Sequence, residues 1–365
     1  MTSENAIAKY VKPDTDLDDM EEVRKQIGIE KKEIRILGIG NSWTRDSFRW
    51  ICSMLHDAGY KATVGQAYLG SSTLQDQYFG IYDSSYTYNR MGNIQVVHSA
   101  YQYQKYTEDG KMTFIPANEK YYNGKNLTGV TLESIVADEK WDIIIFQQRG
   151  CVAGVDKGWA DKDTINTFID KNGKEKTIQW DINDFIDLII SLLPKDSPKP
   201  KIGISIPWTP AIGTSDSELD LYYKNYNDSV IPKNYNERIA FYEKTHKMLQ
   251  EKGLWAAKKL VRKCDFIANP GLAIYNARKN KYLSQFGWKM QIGYGDAHLA
   301  EGLPKYVAGM AMINAALGIR HSDFRWYPQV NTNSFREGKD HKSEQYELPP
   351  SEETAWIARM CGETE

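Results

Sequence analysis

The chain has 365 residues, and its 46 Lys and Arg against 48 Asp and Glu give a formal net charge of −2 at pH 7. This length suits one decorated domain or two domains with a large core. The balanced charge and the lack of a basic patch or nucleic-acid-binding motif exclude nucleic acid as an expected partner. The mean hydropathy is −0.57, and no apolar run approaches about 18 residues, so we expect no membrane-spanning segment.

The N-terminal residues and the cysteines give two further expectations. Residues 1–5 are polar, so we do not expect them to belong to a signal peptide. The four cysteines (Cys52, Cys151, Cys264 and Cys361) lie far apart without a Cys-x-x-Cys pair, which argues against a zinc site. We therefore expect no metal and no organic cofactor.

The pattern along the chain is typical of an α/β protein. Residues 1–33 are charged and contain one helical stretch over 17–27, which predicts an N-terminal arm packed on the outside. The predicted strands are 34–39, 62–68, 142–147, 201–206 and 265–268, and the predicted helices are 46–58, 182–193, 236–263 and 303–317. Apolar strands separated by helices predict a three-layer α/β/α domain, with a parallel sheet of about five strands covered on both faces.

Two long insertions interrupt the predicted domain, which spans residues 34–320. In the first, over 75–128, polar and apolar residues alternate around Glu108–Gly110, which predicts a β-hairpin between 93–98 and 111–115. The second covers 207–234. Both follow strands at the carboxyl edge of the sheet, where long loops are usually functional. Residues 321–365 lack strong periodicity and are predicted to form an extended tail.

Aromatic residues are abundant, with 23 Tyr and 10 Trp, and many of them lie in polar stretches of the insertions. Rings with a polar tip suit partly wet surfaces, and stacking on sugar rings is one such use. The alternative is that these rings cover the core beneath the insertions.

A serine follows the first predicted strand, in Gly38-Ile39-Gly40-Asn41-Ser42, and Asp296-Ala297-His298 precedes the last predicted helix. The carboxyl edge of an open α/β sheet is where such folds place ligands. A serine there, with an Asp/His pair, indicates a hydrolytic nucleophile with its base.

Four blocks between residues 34 and 317 resemble the SGNH (GDSL-like) hydrolase superfamily. They are Gly40-Asn41-Ser42, Tyr68-Leu69-Gly70-Ser71-Ser72, Trp141 to Gln148, and Asp296-Ala297-His298. The likeness is greatest to a branch of unassigned substrate that has Ile-Gly-Asn-Ser, Gln-Gln and His-Leu blocks. The resemblance implies a flavodoxin-like fold and ester hydrolysis through an acyl-enzyme.

The resemblance assigns the catalytic roles. Ser42 is the predicted nucleophile and His298 the predicted general base; an N-cap role for Ser42 and His98 as the base are the alternatives. Asp296 is the predicted partner of the imidazole. It lies two residues before His298, where the family usually has Asp three residues before. If Asp296 does not reach the ring, a backbone carbonyl orients it and leaves a Ser–His dyad.

The resemblance also implies an oxyanion hole, in which N–H donors face the developing negative oxygen. The predicted donors are the N–H groups of Ser42 and Gly70 and a side-chain amide from Gln147 or Gln148. Strand alternation directs one of these two amides towards the site. Gln148 is favoured because it lies further past the strand end, whereas the alternative is that the pair only holds neighbouring loops.

Four further residues are candidates around the substrate. Asn41 is expected to brace the nucleophile turn, and Trp43 lines the leaving-group or sugar side unless it is a core residue. Arg149 binds an acidic group of the substrate unless it is a solvated loop residue. Trp208 lies in the second insertion, which is expected to wall the site.

Together these observations predict a serine esterase that removes acetyl or another small acyl group from a carbohydrate. Its expected partner is a small-molecule or glycan ester, with neither nucleic acid nor a membrane involved. A non-catalytic glycan-binding protein and an acyltransferase are the alternatives. Family habit indicates a periplasmic or secreted location.

Overall fold

The computed structural model describes most of the chain between residues 32 and 364. The described residues are 32–83, 86–90, 94–97, 101–107, 112–114, 130–170, 172–210, 220, 222, 233–283, 298–299, 302–329 and 351–364. The predicted arm over 1–33 and its helical stretch lie almost wholly outside these ranges.

A mostly parallel sheet forms the centre of the molecule. In chain order the described strands are β1 (Lys32–Gly40), β2 (Tyr60–Tyr68), β3 (Thr87–Arg90), β4 (Ile94–Val97), β5 (Gln102–Tyr106), β6 (Met112–Phe114), β7 (Ile143–Gln147), β8 (Ala160–Ile169), β9 (Glu175–Asp181), β10 (Lys201–Ser205) and β11 (Phe266–Ala268). The main sheet has the order β11-β10-β7-β1-β2-β5-β6. Strands β11 to β2 are parallel, and β5 and β6 extend the sheet antiparallel.

Helices cover both faces of this sheet. They are α1 (Ser42–Phe48), α2 (Ile51–Asp57), α3 (Leu74–Tyr82), α4 (Leu132–Val136), α5 (Gly150–Ala153), α6 (Ile182–Ser191), α7 (Tyr235–Met248), α8 (Leu254–Leu260), α9 (Pro270–Lys279), α10 (Leu303–Leu317) and α11 (Glu352–Gly362). A π-helical turn, Leu249–Gly253, joins α7 to α8. One buried core lies between the sheet and α1, α2, α9, α10 and α11, and a second lies between the opposite face and α3, α4, α6 and α8.

The alternation of side chains along the central strands explains these two cores. In β7, Ile143 and Ile145 belong to the core on the α1 side, whereas Ile144 and Phe146 belong to the core on the opposite side. A strand that is buried on both faces has a continuous apolar sequence, which is typical of the strands of parallel sheets. The predicted α/β class with a mostly parallel sheet is confirmed, and each of the five predicted strands lies within two residues of its observed bounds.

The predicted hairpin has the wrong pairing. Strand β4, within the predicted segment 93–98, pairs with β3, and β6, within 111–115, pairs with β5. The alternating pattern identified strands correctly, but it does not specify their partners, because either face of such a strand can be buried.

Two elements were missed by the sequence analysis. Strands β8 and β9 form a separate hairpin around Asn172-Gly173, in which Gly173 has a φ of 76°. An Asn-Gly pair between alternating segments is a strong hairpin signal. Within the predicted extended tail, residues 352–362 form α11, whose N terminus has a capping box between Ser351 and Thr354.

None of the described helices is long and apolar enough to cross a membrane.

Candidate active site

The turn between β1 and α1 presents Ser42 at the carboxyl edge of the sheet. Asn41 is the N-cap of α1, and its Oδ1 accepts a hydrogen bond from the Trp43 N–H at 3.0 Å. Helix α1 packs so closely on β1 that a Cβ on Gly38 would lie 2.7 Å from both Thr44 and Phe48. Glycine at this position therefore lets the helix start directly over the strand, which fixes the position of the serine.

His298 lies next to this serine, although 256 residues separate them in the chain. The distance from Ser42 Oγ to His298 Nε2 is 3.0 Å. That distance is within hydrogen-bonding range, so the imidazole can accept the hydroxyl proton when the oxygen attacks a carbonyl carbon. The two residues that were predicted as nucleophile and base are thus adjacent.

The carboxylate on the other ring nitrogen belongs to Asp46. Its Oδ2 lies 2.7 Å from His298 Nδ1 and accepts a second hydrogen bond from the Leu299 N–H at 3.1 Å. Asp296, which was predicted for this role, lies outside the described residues. Among the described residues, the carboxylate at His298 Nδ1 is therefore that of Asp46.

Asp46 is completely buried and surrounded by positive charge. Lys305 on α10, itself only 2% exposed, places Nζ 3.2 Å from Asp46 Oδ1, and Arg45 Nε lies 4.0 Å from the same oxygen. Burial favours the neutral acid, but the charges of Lys305, His298 and Arg45 outweigh it and lower the pKa of Asp46 below its ordinary range. The carboxylate is therefore ionised at any pH at which the imidazole is neutral.

This lowered pKa predicts acid sensitivity. An aspartate in the unfolded chain has an ordinary pKa of 3.8. Below that pH, Asp46 binds fewer protons in the folded protein than in the unfolded chain. The stability contributed by ionised Asp46 is fully present above that value and is lost as the pH falls towards the folded-state pKa. We expect the unfolding free energy from urea titrations between pH 5 and pH 2.5 to fall more steeply for the wild type than for Asp46→Asn, by up to about 1.4 kcal/mol per pH unit. Equal slopes would contradict this assignment.

Gln147 and Gln148 end β7 in very different environments. The Gln148 amide is engaged with the loops: Oε1 accepts from the N–H groups of Leu74 at 3.0 Å and Arg149 at 2.9 Å, and Nε2 donates to the Gly158 carbonyl. Gln148 therefore braces the neighbouring loops, which is the alternative role that the sequence left open for this pair of glutamines.

Gln147 instead has a buried and unpartnered amide. The residue is 1% exposed, and neither Nε2 nor Oε1 has a hydrogen-bond partner within the described ranges. Its Cβ lies beside Gly40, where a Cβ would approach it to 3.2 Å, and strand alternation places it on the α1 side of the sheet. Both amide atoms of Gln66 on β2 are also buried without a partner among the described residues, so the position of Gln147 beside Gly40 is what relates it to the site.

The loop after β2 approaches the same turn. Leu69 N–H donates to the Gly40 carbonyl at 3.0 Å, so Gly70, the next residue, lies close to the end of β1. Asn41 Nδ2 donates to the Ser72 carbonyl at 3.2 Å, which confirms that Asn41 braces the nucleophile turn. The predicted donor role of the Gly70 N–H remains a prediction.

Arg149 and the two tryptophans have mainly structural contacts. Arg149 Nη1 donates to the Ser71 carbonyl at 2.8 Å, and Ser71 has a positive φ of 62°. Trp43 stacks on Trp208 with ring centroids 4.9 Å apart, and the two rings are 6% and 0% exposed. These tryptophans therefore form part of the core behind the site and not an exposed sugar platform; Arg149 holds the loop after β2 in place.

Sequence reasoning missed Asp46 and Lys305. Asp46 lies four residues after Ser42, a spacing that puts two side chains on the same face of a helix. That spacing is a usable signal, but the resemblance points only to a carboxylate next to the histidine in sequence. Lys305 lies in the first turn of α10, where a lysine is ordinarily solvated.

Across the ranges that the structure describes, no three His, Cys, Asp or Glu side chains come together in a way that could hold a metal ion.

The fold and site define the protein as an α/β protein with a mostly parallel sheet and a Ser–His–Asp arrangement at its carboxyl edge. No protein-family model matches the chain, and no curated protein does. Among solved structures, it is similar to a DUF4886 family protein from Bacteroides uniformis, with a TM-score of 0.57 and 18% sequence identity. The match covers 91% of this chain and 94% of that chain. At this identity the likeness shows the fold alone.

Proposed function

We propose that this protein is a serine esterase of the SGNH (GDSL-like) type that hydrolyses its substrate through an acyl-enzyme. The observation that carries the proposal is the continuous chain from Ser42 Oγ to His298 Nε2 at 3.0 Å and from His298 Nδ1 to Asp46 Oδ2 at 2.7 Å. A serine, an imidazole and a buried carboxylate in this order are the groups that acyl transfer needs.

The proposed reaction has two halves. In the first, Ser42 Oγ attacks the ester carbonyl carbon and His298 Nε2 takes the hydroxyl proton. The tetrahedral intermediate then collapses, the ester C–O bond breaks, and His298 returns the proton to the leaving alcohol. In the second, a water gives a proton to His298 and attacks the acyl-Ser42 carbonyl carbon. The new tetrahedral intermediate collapses, the bond from the acyl carbon to Ser42 Oγ breaks, and His298 returns the proton to Oγ, which releases the acid and restores the hydroxyl. Asp46 stabilises the imidazolium in both halves.

The strand order supports the SGNH and flavodoxin-like assignment. Numbered by their order in the chain, the five parallel strands β2-β1-β7-β10-β11 have the order 2-1-3-4-5, which is that of the flavodoxin-like folds. In such sheets the ligand site lies beyond the carboxyl ends of the strands, at the position where Ser42 follows β1 and Gln147 ends β7.

We further propose Gln147 as the side-chain donor of the oxyanion hole, together with the N–H of Ser42 and the predicted N–H of Gly70. Ser42 is the first residue of α1, so its N–H has no acceptor within the helix. The amide of Gln147 is buried and has no hydrogen-bond partner among the described residues, so it meets a developing oxyanion without first breaking a hydrogen bond to them. This removes the cost of reorganising the site at the moment of reaction.

The two neighbouring glutamines give a matched test of this donor. We expect Gln147→Ala to lower kcat about 10²- to 10³-fold, which is the usual effect of removing one oxyanion donor, with KM changed much less. Gln148→Ala should mainly lower the melting temperature, because it breaks the bonds to Leu74 and Gly158 that hold the loops. A larger kcat loss in a folded Gln148 variant than in the Gln147 variant would reverse the assignment.

For the substrate class we propose a carbohydrate ester with a small acyl group. The resemblance and the aromatic content of the insertions support it, whereas the buried Trp43 and Trp208 contribute no exposed ring. The test is acetate release from a panel of acetylated oligosaccharides, with Ser42→Ala as the negative control. Acetate release by the wild type alone supports the proposal; glycan affinity without turnover would favour a binding protein.

The binding-protein alternative rested on the unusual spacing of Asp296 and on the altered amide. Asp46 supplies a carboxylate at His298, and Gln147 supplies a buried amide at the end of β7. Both observations weigh towards a complete hydrolytic site.

A further inference from the structure

The first turn of α10 contributes a buried cation to the site. Lys305 is 2% exposed, and its Nζ lies 3.2 Å from Asp46 Oδ1. Burying an ammonium group costs several kcal/mol unless it meets an opposite charge. The neighbouring buried positions of α10 include Leu303, Tyr306 and Val307, so an apolar residue would suit this helix face at no such cost. The lysine therefore needs an explanation beyond packing.

The two oxygens of Asp46 have separate partners. Oδ2 accepts from His298 Nδ1 and from the Leu299 N–H, whereas Oδ1 faces Lys305. Arg45 approaches Oδ1 only to 4.0 Å and is 20% exposed, so its charge is better screened by solvent. Without Lys305, the remaining cation near Oδ1 is Arg45, which is too distant and too exposed to fix this oxygen as firmly.

The charge of Lys305 also acts on the imidazole. Among the residues that the structure describes, the charged groups close to His298 include Asp46 and Arg45 from α1 and Lys305 from α10. The two cations lie within 4.0 Å of Asp46 Oδ1, so they sit close to the ring that Asp46 contacts. The charge of Lys305 therefore repels a positive charge on the imidazole.

We propose that Lys305 is a positioning residue of the Ser42–His298–Asp46 site, which holds the Asp46 carboxylate towards His298 and whose charge opposes the arrival of a proton on the imidazole. Without the lysine, this repulsion is lost and protonation of the ring becomes easier, so the site loses its active protonation state at a higher pH.

The catalytic role of Lys305 rests on the proposed function. The first test needs no substrate, so its result does not depend on that function. The protonation midpoint of His298 is measured in the full chain from its ring Hε1 signal by NMR, with His298→Gln used to assign the signal. We expect Lys305→Met to raise that midpoint by about one pH unit and Lys305→Arg, which keeps the cation, to leave it within about 0.3 unit.

The second test is the pH dependence of kcat/KM for the same variants on p-nitrophenyl acetate. Lys305→Met should move the acid limb to higher pH by the same amount and lower kcat about 10-fold or more at neutral pH. KM should stay within about threefold, and Lys305→Arg should recover most of kcat. Lys199→Met, an exposed change before the amino end of β10, is the control and should match the wild type.

Thermal melting and near-UV circular dichroism establish that each variant is folded. If Lys305→Met does not fold, Lys305→Gln, which keeps a donor but removes the charge, takes its place in both measurements. An unchanged His298 midpoint in a folded neutral variant would overturn the proposal. A pH-independent loss of activity with an unmoved acid limb would also overturn it, because it would reduce Lys305 to a packing role. Absence of hydrolysis by the wild type, with the midpoint shifted as expected, would instead contradict the proposed function.

Discussion

Ser42→Ala and His298→Ala should each lower the rate of p-nitrophenyl acetate hydrolysis by at least about 10³-fold. Ser42 Oγ and His298 Nε2 lie 3.0 Å apart, so each residue depends on the other: without the base the hydroxyl is a weak nucleophile, and without the hydroxyl the base has no proton to move. Because the two act as a unit, the double variant should be no slower than the slower single variant. The measurement is release of nitrophenolate under saturating ester.

Ser191→Ala is the matched control for these variants. Ser191 is exposed at the end of α6, and its change should leave the rate within about twofold. Retention of more than about a tenth of the wild-type rate in folded Ser42→Ala would contradict the nucleophile assignment. Strictly additive losses in the double variant would contradict the coupling of the two residues.

Asp46→Asn should lower kcat about 10²- to 10⁴-fold, whereas Asp296→Asn should leave kcat within about threefold. An asparagine at residue 46 can donate to Nδ1, which favours the wrong imidazole tautomer and removes the charge that stabilises the imidazolium. Asp296 should have little effect because Asp46 Oδ2 already accepts the Nδ1 proton at 2.7 Å. The two variants make the same chemical change and differ only in position.

The stability of Asp46→Asn has to be measured alongside its activity. Removal of one partner of a buried ion pair costs about 3 to 5 kcal/mol, because Lys305 is left without its counter-ion. Activity is therefore compared at a temperature where circular dichroism shows a folded variant. If Asp296→Asn were the more damaging change, the carboxylate on His298 would be Asp296, as the sequence alone predicts, and the site described here would be wrong.

The sequence predicts the central sheet well because its strands are short apolar runs bounded by turns. Strand β7 is the example, since Ile143 to Phe146 are all buried and alternate between the two cores. The pairing of strands is harder to predict from the sequence. The sequence predicts that 93–98 pairs with 111–115, whereas β4 pairs with β3 and β6 pairs with β5. Partner choice depends on the faces that the rest of the fold buries, and this information is not local.

In the candidate site too, some residues can be predicted from local sequence, whereas others depend on tertiary packing. Ser42 and His298 stand in recognisable blocks, so they can be found from the sequence. Asp46 becomes the partner of His298 only because α1 and α10 pack together, and Lys305 is buried for the same reason. Which of Gln147 and Gln148 is engaged by loops depends on the positions of α3 and of Gly158, which the sequence of β7 does not contain.

Labelling of the protein by a fluorophosphonate, a probe that modifies activated serines whatever the natural substrate, tests most directly whether Ser42 is an activated nucleophile. Intact mass and peptide mapping give both the site and the rate. We predict that one phosphonyl group is added at Ser42, that Asp46→Asn slows the reaction by at least about 10²-fold, and that His298→Ala abolishes it. Labelling at another serine, or labelling of Ser42 at the same rate in all three proteins, would contradict the account.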